Sequence, residues 1–158
     1  MGTIYNIALV THIVGIAMMA GTTFIDFTTF RQFWKTYQGD KSKGMVMADG
    51  FHRLQKPMEI GMLLILVSGI TMMVYLHQVW GRQMWFQIKM GILVLIIING
   101  FGVRRKLGST LEKHLATNPS EDGFAAQLMK IRRHIRLAHV IQMAFFVTIF
   151  TLSIFKFN

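Results

Sequence analysis

The chain has 158 residues, of which 53% are apolar types and only 15% are charged. Soluble domains usually carry about 25% charged residues, so this composition favours a membrane protein over a soluble enzyme. The chain has no cysteine, which excludes disulfides, thiolate metal sites and cysteine nucleophiles. Its 17 Lys and Arg residues exceed its seven Asp and Glu residues, which gives a formal net charge of +10.

Four apolar stretches are each long enough to cross a bilayer, which takes about 20 helical residues. They cover residues 4–30, 58–78, 84–103 and 137–156. The sequence therefore predicts an all-α fold. We expect one domain, 1–158, built as a transmembrane up-down-up-down four-helix bundle with cytoplasmic helix extensions.

The basic residues are concentrated in two of the connecting segments. Segment 31–57 holds six and segment 103–137 holds eight of the 17, whereas the linker after the second span has only Arg82. Because positive charge marks the cytoplasmic side, we expect both segments in the cytoplasm and both termini outside a bacterial inner membrane. This bias accounts for the net charge without a nucleic-acid partner. The expected partners are the lipid bilayer and a membrane protein or a second copy of the chain.

Polar side chains within the spans fall at two depths, given a rise of about 1.5 Å per helical residue. An inner polar layer lies within about 10 Å of the cytoplasmic edge and comprises Asp26, Glu59, Asn99, His139 and Gln142. An outer polar layer lies roughly 20–30 Å from that edge and comprises His12, Tyr75, His77, Gln87, Lys89 and Ser153. We expect an apolar, methionine-rich middle between the two layers.

Spacings of three and four residues place these polar groups on inward-facing seams. The seam of the first span is Ala8, His12, Gly15, Met19, Thr22 and Asp26. The third span has Trp85, Lys89, Ile92, Ile96 and Asn99, and the fourth has His139, Gln142 and Phe146. Ionisable groups that face a bundle interior usually have a function there.

His12 is a candidate axial ligand of haem iron or a proton carrier, since imidazole is a common ligand of haem. The alternative is a histidine that is hydrogen-bonded to Tyr75 or to a backbone carbonyl. Lys89 could pair with a haem propionate or a substrate carboxylate, or extend to the headgroups. Gly15 is small, so it could leave room for a haem beside His12.

Asp26, Glu59 and His139 could together bind Fe, Mn or Zn, because carboxylate and imidazole suit these metals. The alternative is ion pairing at the membrane edge with Arg31, Lys56 or Arg136. Methionine can ligate copper but more often fills gaps in a core. The candidate copper positions are Met18, Met19, Met45, Met47, His52, Met72 and Met73.

Four quoted stretches resemble one superfamily of small four-helix membrane proteins. They are THIVGIAMMAG, HRLQKPMEIGMLLILVSGI, QMWFQIKMGILVLIIINGFGVRRKL and RRHIRLAHVIQMAFFVTIFTLSIFK. That superfamily includes copper-resistance D domains, HemJ-type protoporphyrinogen oxidases and uncharacterised predicted integral membrane proteins. The resemblance to the HemJ-type enzymes implies haem b, with His12 and Lys89 at the positions associated with it. Ala138, His139 and Val140 replace the Asn-Glu-Pro run usual in those enzymes, so the uncharacterised members are the better match.

We therefore predict an integral membrane haem- or porphyrin-associated redox protein, with His12 on the iron and Lys89, Tyr75 and Gly15 around the cofactor. Two alternatives stay open. One is a non-enzymatic membrane subunit or scaffold that docks a partner, and the other is a copper-handling membrane protein. The sequence predicts no catalytic residue.

Overall fold

A computed structural model of the protein describes residues 2–48, 50–116 and 124–155. Over these ranges the chain is helical and has no strand, which confirms the all-α prediction. In chain order the elements are α1 (Thr3–Gly39), α2 (Lys41–Ala48), α3 (Gly50–Trp80), α4 (Met84–Ile97), a π-helix (Ile98–Arg104), α5 (Arg105–Ala116) and α6 (Phe124–Phe155).

Four stretches are long and apolar enough to cross a membrane: Thr3–Gly39, Leu54–Leu76, Met84–Leu115 and Ala126–Phe155. Large apolar side chains lie exposed along them, among them Ile7, Leu63 and Val147, each at least 60% exposed. Apolar surface of this extent on helices of this length contacts lipid. The protein is a multi-pass membrane protein built as a helical bundle.

The helices run past the predicted spans at one end of the bundle, where α2, α5 and the start of α6 lie. We call this the basic end, since both arginine- and lysine-rich segments are found there. The extensions hold together because apolar side chains continue at helical spacing beyond the hydropathy signal. Their core contains Phe30, Phe33, Trp34, Tyr37, Leu111, Leu128, Ile131 and Ile135.

Helices α1 and α3 cross with their backbones in contact at two glycines. A Cβ on Gly15 would lie 2.8 Å from the carbonyl oxygen of Gly61, and a Cβ on Gly61 would lie 3.0 Å from that of Gly15. Real Cβ atoms essentially never lie within 3.0 Å of an oxygen, so the crossing requires Gly15, and a Cβ on Gly61 would force the neighbouring backbone to shift by a few tenths of an ångström. The room that the sequence predicted beside Gly15 is therefore filled by α3, and Gly15 serves the crossing.

The predicted apolar middle is present between the two polar layers. It consists of the buried side chains of Met19, Met58, Ile65, Ile96 and Ile149. The seam of the first span is also confirmed, since all its members except the half-buried His12 are buried. The bundle thus encloses two separate polar regions, one on each side of this apolar middle, which we call the apolar plug.

Candidate functional site: two histidines in two polar layers

In the inner polar layer, the carboxylate of Asp26 lies between two basic side chains. Its Oδ2 atom is 3.1 Å from Nε2 of His139 and pairs with Nη2 of Arg104. The side chain of His139 is only 2% exposed, and those of Arg104 and Asp26 are 11% and 13% exposed. Arg31, Lys56 and Arg136 were expected as ion-pair partners of Asp26, Glu59 and His139, but the partner of Asp26 is Arg104. Arg104 lies just beyond the end of the predicted third span, 84–103, and its side chain turns inward.

A π-helix at Ile98–Arg104 brings Arg104 into the bundle. In an α-helix, residues five apart point about 140° away from each other. A π turn closes hydrogen bonds five residues apart, so Asn99 and Arg104 both face inward. Asn99 contacts α6, while Arg104 reaches Asp26 on α1 and, at 3.5 Å, the sulfur of Met58 on α3. π segments recur at functional sites, and this one supplies the site's permanent cation.

One turn deeper, two amides continue the inner polar layer. Nδ2 of Asn99 donates to the backbone oxygen of Ala138 at 2.9 Å and to Oε1 of Gln142 at 2.8 Å. The Nε2 atom of the fully buried Gln142 has no hydrogen-bond partner within the described residues. An unsatisfied buried donor costs about 1–3 kcal/mol, so an acceptor beside this amide would stabilise the layer.

The His139 ring is held from several sides. Its Nδ1 lies 2.8 Å from the backbone oxygen of Ile135. Since a carbonyl oxygen only accepts, Nδ1 carries a hydrogen and donates it there. Phe27 and Phe30 pack against the ring, with centroids 5.9 and 5.6 Å away. These contacts fix Nε2 in its direction toward Asp26.

A cavity of about 90 Å³ connects this buried group to the surface at the basic end. One water needs roughly 10–15 Å³ of such space, so the cavity has room for several. Asp26, Arg104 and His139 lie at its buried part. Its exposed wall carries Glu59, Arg105 and Glu112.

The predicted metal group does not form a ligand cluster here. Within the described ranges, no three His, Asp or Glu side chains are placed to hold a metal ion. Glu59 is exposed on the cavity wall, and Arg104 occupies the carboxylate of Asp26. For the copper hypothesis, Met19 and Met72 are buried core residues, and the side chain of His52 lies outside what the structure describes. Metal binding at either place stays a prediction.

In the outer polar layer, His12 is hydrogen-bonded to α3. Its Nδ1 lies 2.9 Å from Oγ of Ser68 and 3.2 Å from the backbone oxygen of Ile65. The Ser68 hydroxyl donates its hydrogen to the backbone oxygen of Leu64 and so accepts from His12. Nδ1 therefore carries the hydrogen, and Nε2 keeps its lone pair. Nε2 has no hydrogen-bond partner among the described residues.

The predicted backbone-carbonyl contact of His12 is thus present, whereas Tyr75 is not its partner. Tyr75 is 52% exposed and points away from the bundle interior. Lys89 faces inward, because its Nζ donates to Oγ of Ser153 on α6 at 2.9 Å. This contact keeps the ammonium within the bundle, in electrostatic range of His12. The side chain of His77 lies outside the described part of the chain.

Two residues that complete the layers were missed in the sequence. For Arg104 the signal is the pair Gly100 and Gly102 before it, which indicates irregular helix. For Ser68 no pattern in the sequence indicates a contact with His12. No protein family, no curated protein and no solved structure matches this chain. Inferences about function therefore rest on the two polar layers.

Proposed function

We propose that the protein is an integral membrane haem-associated redox protein in which His12 is an axial ligand of haem b. The observation that supports this is the hydrogen bonding of the ring. Nδ1 donates to Ser68 and Ile65 of α3, so the lone pair is on Nε2. The resemblance of the sequence to haem-associated four-helix membrane proteins points the same way.

This pattern is the one that a ligating histidine needs. In most metal sites the second ring nitrogen donates to a carbonyl, a carboxylate or water, which fixes the tautomer and makes the ligand more basic. His12 has two acceptors for that hydrogen, one a backbone oxygen and one a hydroxyl. A bound haem supplies one-electron chemistry, and the protein supplies binding, orientation and electrostatics.

Lys89 is the cation that suits a haem propionate at this depth. Its ammonium is in the outer polar layer and is held by Ser153 on α6. Tyr75 and Gly15 have no part in this proposal, because the first is directed outward and the second is enclosed by α3. The haem site consists of His12 as ligand, Ser68 and Ile65 as the groups that orient it, and Lys89 as the nearby charge.

The same proposal places the basic end in the cytoplasm of a bacterial cell and both termini outside the inner membrane. The support is the distribution of Lys and Arg, which are concentrated in segments 31–57 and 103–137. Reporter fusions at Asn118 and at Asn158 should then give opposite signals for cytoplasmic and external location. A cytoplasmic signal at Asn158 would contradict the orientation.

The visible spectrum of protein purified from haem-replete cells tests the function. We expect a Soret band that is lost in His12→Ala and retained in His139→Ala. The second variant is the matched control, because it removes a buried histidine from the other polar layer. The reverse pattern would place the haem at the basic end. Colourless wild-type protein would refute the haem proposal and favour a scaffold subunit, or copper handling if elemental analysis found copper.

A further inference from the structure

The hydrogen bonds of His139 require one proton more than a neutral imidazole and a carboxylate possess together. Nδ1 already uses its hydrogen on the backbone oxygen of Ile135. Nε2 then faces Oδ2 of Asp26 at 3.1 Å, and both atoms are acceptors unless a proton lies between them. Two bare acceptors at this separation repel each other, so the contact is that of a pair sharing a proton.

We infer that Asp26 and His139 form a proton-binding site that exchanges protons with the aqueous side at the basic end. In the loaded state one proton lies between Nε2 and Oδ2. In the unloaded state that proton has passed to a water molecule in the cavity, which leaves a neutral imidazole and a carboxylate. No electrons move, and the proton is the only species transferred.

Arg104 makes the unloaded state possible. Its guanidinium pairs with Oδ2 of Asp26 and, as the residue that keeps its charge at all relevant pH values, holds the carboxylate in both states. The charged and titratable groups that line the cavity around the pair come from α1, α3, the π-helix, α5 and α6. They are Asp26 of α1, Glu59 of α3, Arg104 of the π-helix, Arg105 and Glu112 of α5, and His139 of α6.

The cavity gives the pair access to one side only. Asp26 and His139 lie on its wall together with the exposed Glu59 and Glu112, so the cavity offers a path with room for water from the pair to the basic end. Toward the opposite end, the apolar plug of Met19, Ile65, Ile96 and Ile149 separates the pair from His12. Water and protons do not cross such a layer readily. The site therefore loads and unloads at the basic end.

Gln142 gives this site a second, independent polar feature. Its buried Nε2 has no partner within the described residues, and it follows His139 by three residues on α6. A buried donor of this kind can be satisfied by an ordered water molecule. This inference does not rest on the haem proposal, because His12 and its partners belong to the other layer.

Water access can be tested with single cysteines, since the chain has none of its own. Gly100 lines the cavity and Gly91 lies exposed on α4, and at both positions a Cβ would meet no atom within 4 Å. In the full-length protein in nanodiscs, a small charged thiosulfonate should modify Gly100→Cys at least tenfold faster than Gly91→Cys. Equal, slow rates at both positions would overturn the proposal, because the pair would have no aqueous access.

Proton binding can be tested by infrared difference spectra of the same nanodiscs at two pH values. We expect a pH-dependent signal that is lost in Asp26→Asn and also in His139→Gln, because the proton belongs to the pair. Glu59→Gln is the matched control, and it should leave that signal in place. Asparagine keeps the size of Asp26 and can donate to Nε2, so the variant retains the contact without the shared proton. A pH-difference spectrum that is the same in the wild type, Asp26→Asn and His139→Gln would overturn the inference.

Discussion

His12 and His139 both point inward, one in each polar layer, yet their Nε2 atoms have different partners. In both, Nδ1 donates to a backbone oxygen, of Ile65 and of Ile135 respectively. Nε2 of His12 keeps its lone pair, whereas Nε2 of His139 faces the carboxylate of Asp26. The comparison shows that the partner of the second nitrogen decides what a membrane histidine can do. One is suited to ligate a metal and the other to hold a proton.

The groups that surround the two rings also differ in charge. His12 is oriented by neutral groups, a hydroxyl and a carbonyl of one neighbouring helix. His139 belongs to a charged group drawn from α1, the π-helix and α6. Removing one member of a buried charge pair leaves the other uncompensated, which costs far more than the loss of a neutral hydrogen bond. The two layers should therefore respond very differently to substitution.

The largest effect is expected at Arg104. Arg104→Met leaves the buried carboxylate of Asp26 without its permanent counterion, which should lower the free energy of unfolding by about 3–5 kcal/mol. Arg105→Met is the matched control, because the neighbouring arginine is exposed and its loss should cost no more than about 0.5 kcal/mol. Denaturation of the purified protein in detergent measures both. Equal losses of stability in the two variants would mean that the ion pair of Asp26 and Arg104 contributes nothing to the free energy of unfolding.

The double variant Asp26→Asn/Arg104→Met tests whether the loss of stability in Arg104→Met comes from the carboxylate of Asp26. It removes both charges, so it should be more stable than Arg104→Met alone. A double variant that is less stable than the single variant would contradict the idea that the cost comes from an uncompensated carboxylate.

A smaller effect is expected at the glycine crossing that positions the outer polar layer. Gly15→Ala places a Cβ 2.8 Å from the carbonyl oxygen of Gly61 and should destabilise the protein by about 1–3 kcal/mol, because the backbones must separate. Gly21→Ala on the same helix meets open space and should be neutral or slightly stabilising. In Gly15→Ala the contact from His12 to Ser68 should weaken, while the contacts of Asp26 with Arg104 and His139 stay intact. Equal stability of the two variants would show that α1 and α3 do not cross here.

The smallest effect is expected at Ser68. Ser68→Ala removes one of the two acceptors for the His12 hydrogen and leaves the oxygen of Ile65, so the loss should be about 1 kcal/mol. Thr148→Ala is the control, since that exposed hydroxyl bonds only its own helix at Ala144. Thermal unfolding of both variants measures the difference. A loss at Ser68 as large as that at Arg104 would contradict the contrast between neutral and charged layers.

The sequence was sufficient for the parts of the fold that depend on helical periodicity. The seam from Ala8 to Asp26 follows from the spacing of small and polar residues, and the apolar middle follows from hydropathy. Helix extensions beyond the apolar spans were also predicted, but hydropathy marks only the membrane edge and does not show how the extensions pack. Trp34 and Ile131, which pack beyond that edge, are not part of the hydropathy signal.

The partners within each layer depended on tertiary structure that spacing does not encode. Arg104 reaches Asp26 only because the backbone adopts π geometry between Ile98 and Arg104, whereas regular α-helical spacing directs it away from Asn99. Similarly, His12 meets Ser68 because Gly15 and Gly61 fix the relative position of α1 and α3. The grouping of polar residues into two layers was predictable, whereas the side-chain partners within each layer were not.

The difference between the two histidines can be measured directly by ¹⁵N nuclear magnetic resonance of histidine-labelled protein in nanodiscs, without added haem and at neutral pH. Signals are assigned by their loss in His12→Gln and His139→Gln. We predict that His12 has a protonated Nδ1 and a bare Nε2, and that Nε2 of His139 shows a shared or bound proton that disappears in Asp26→Asn. Two histidines with the same bare Nε2 would contradict the assignment of separate roles to the two layers.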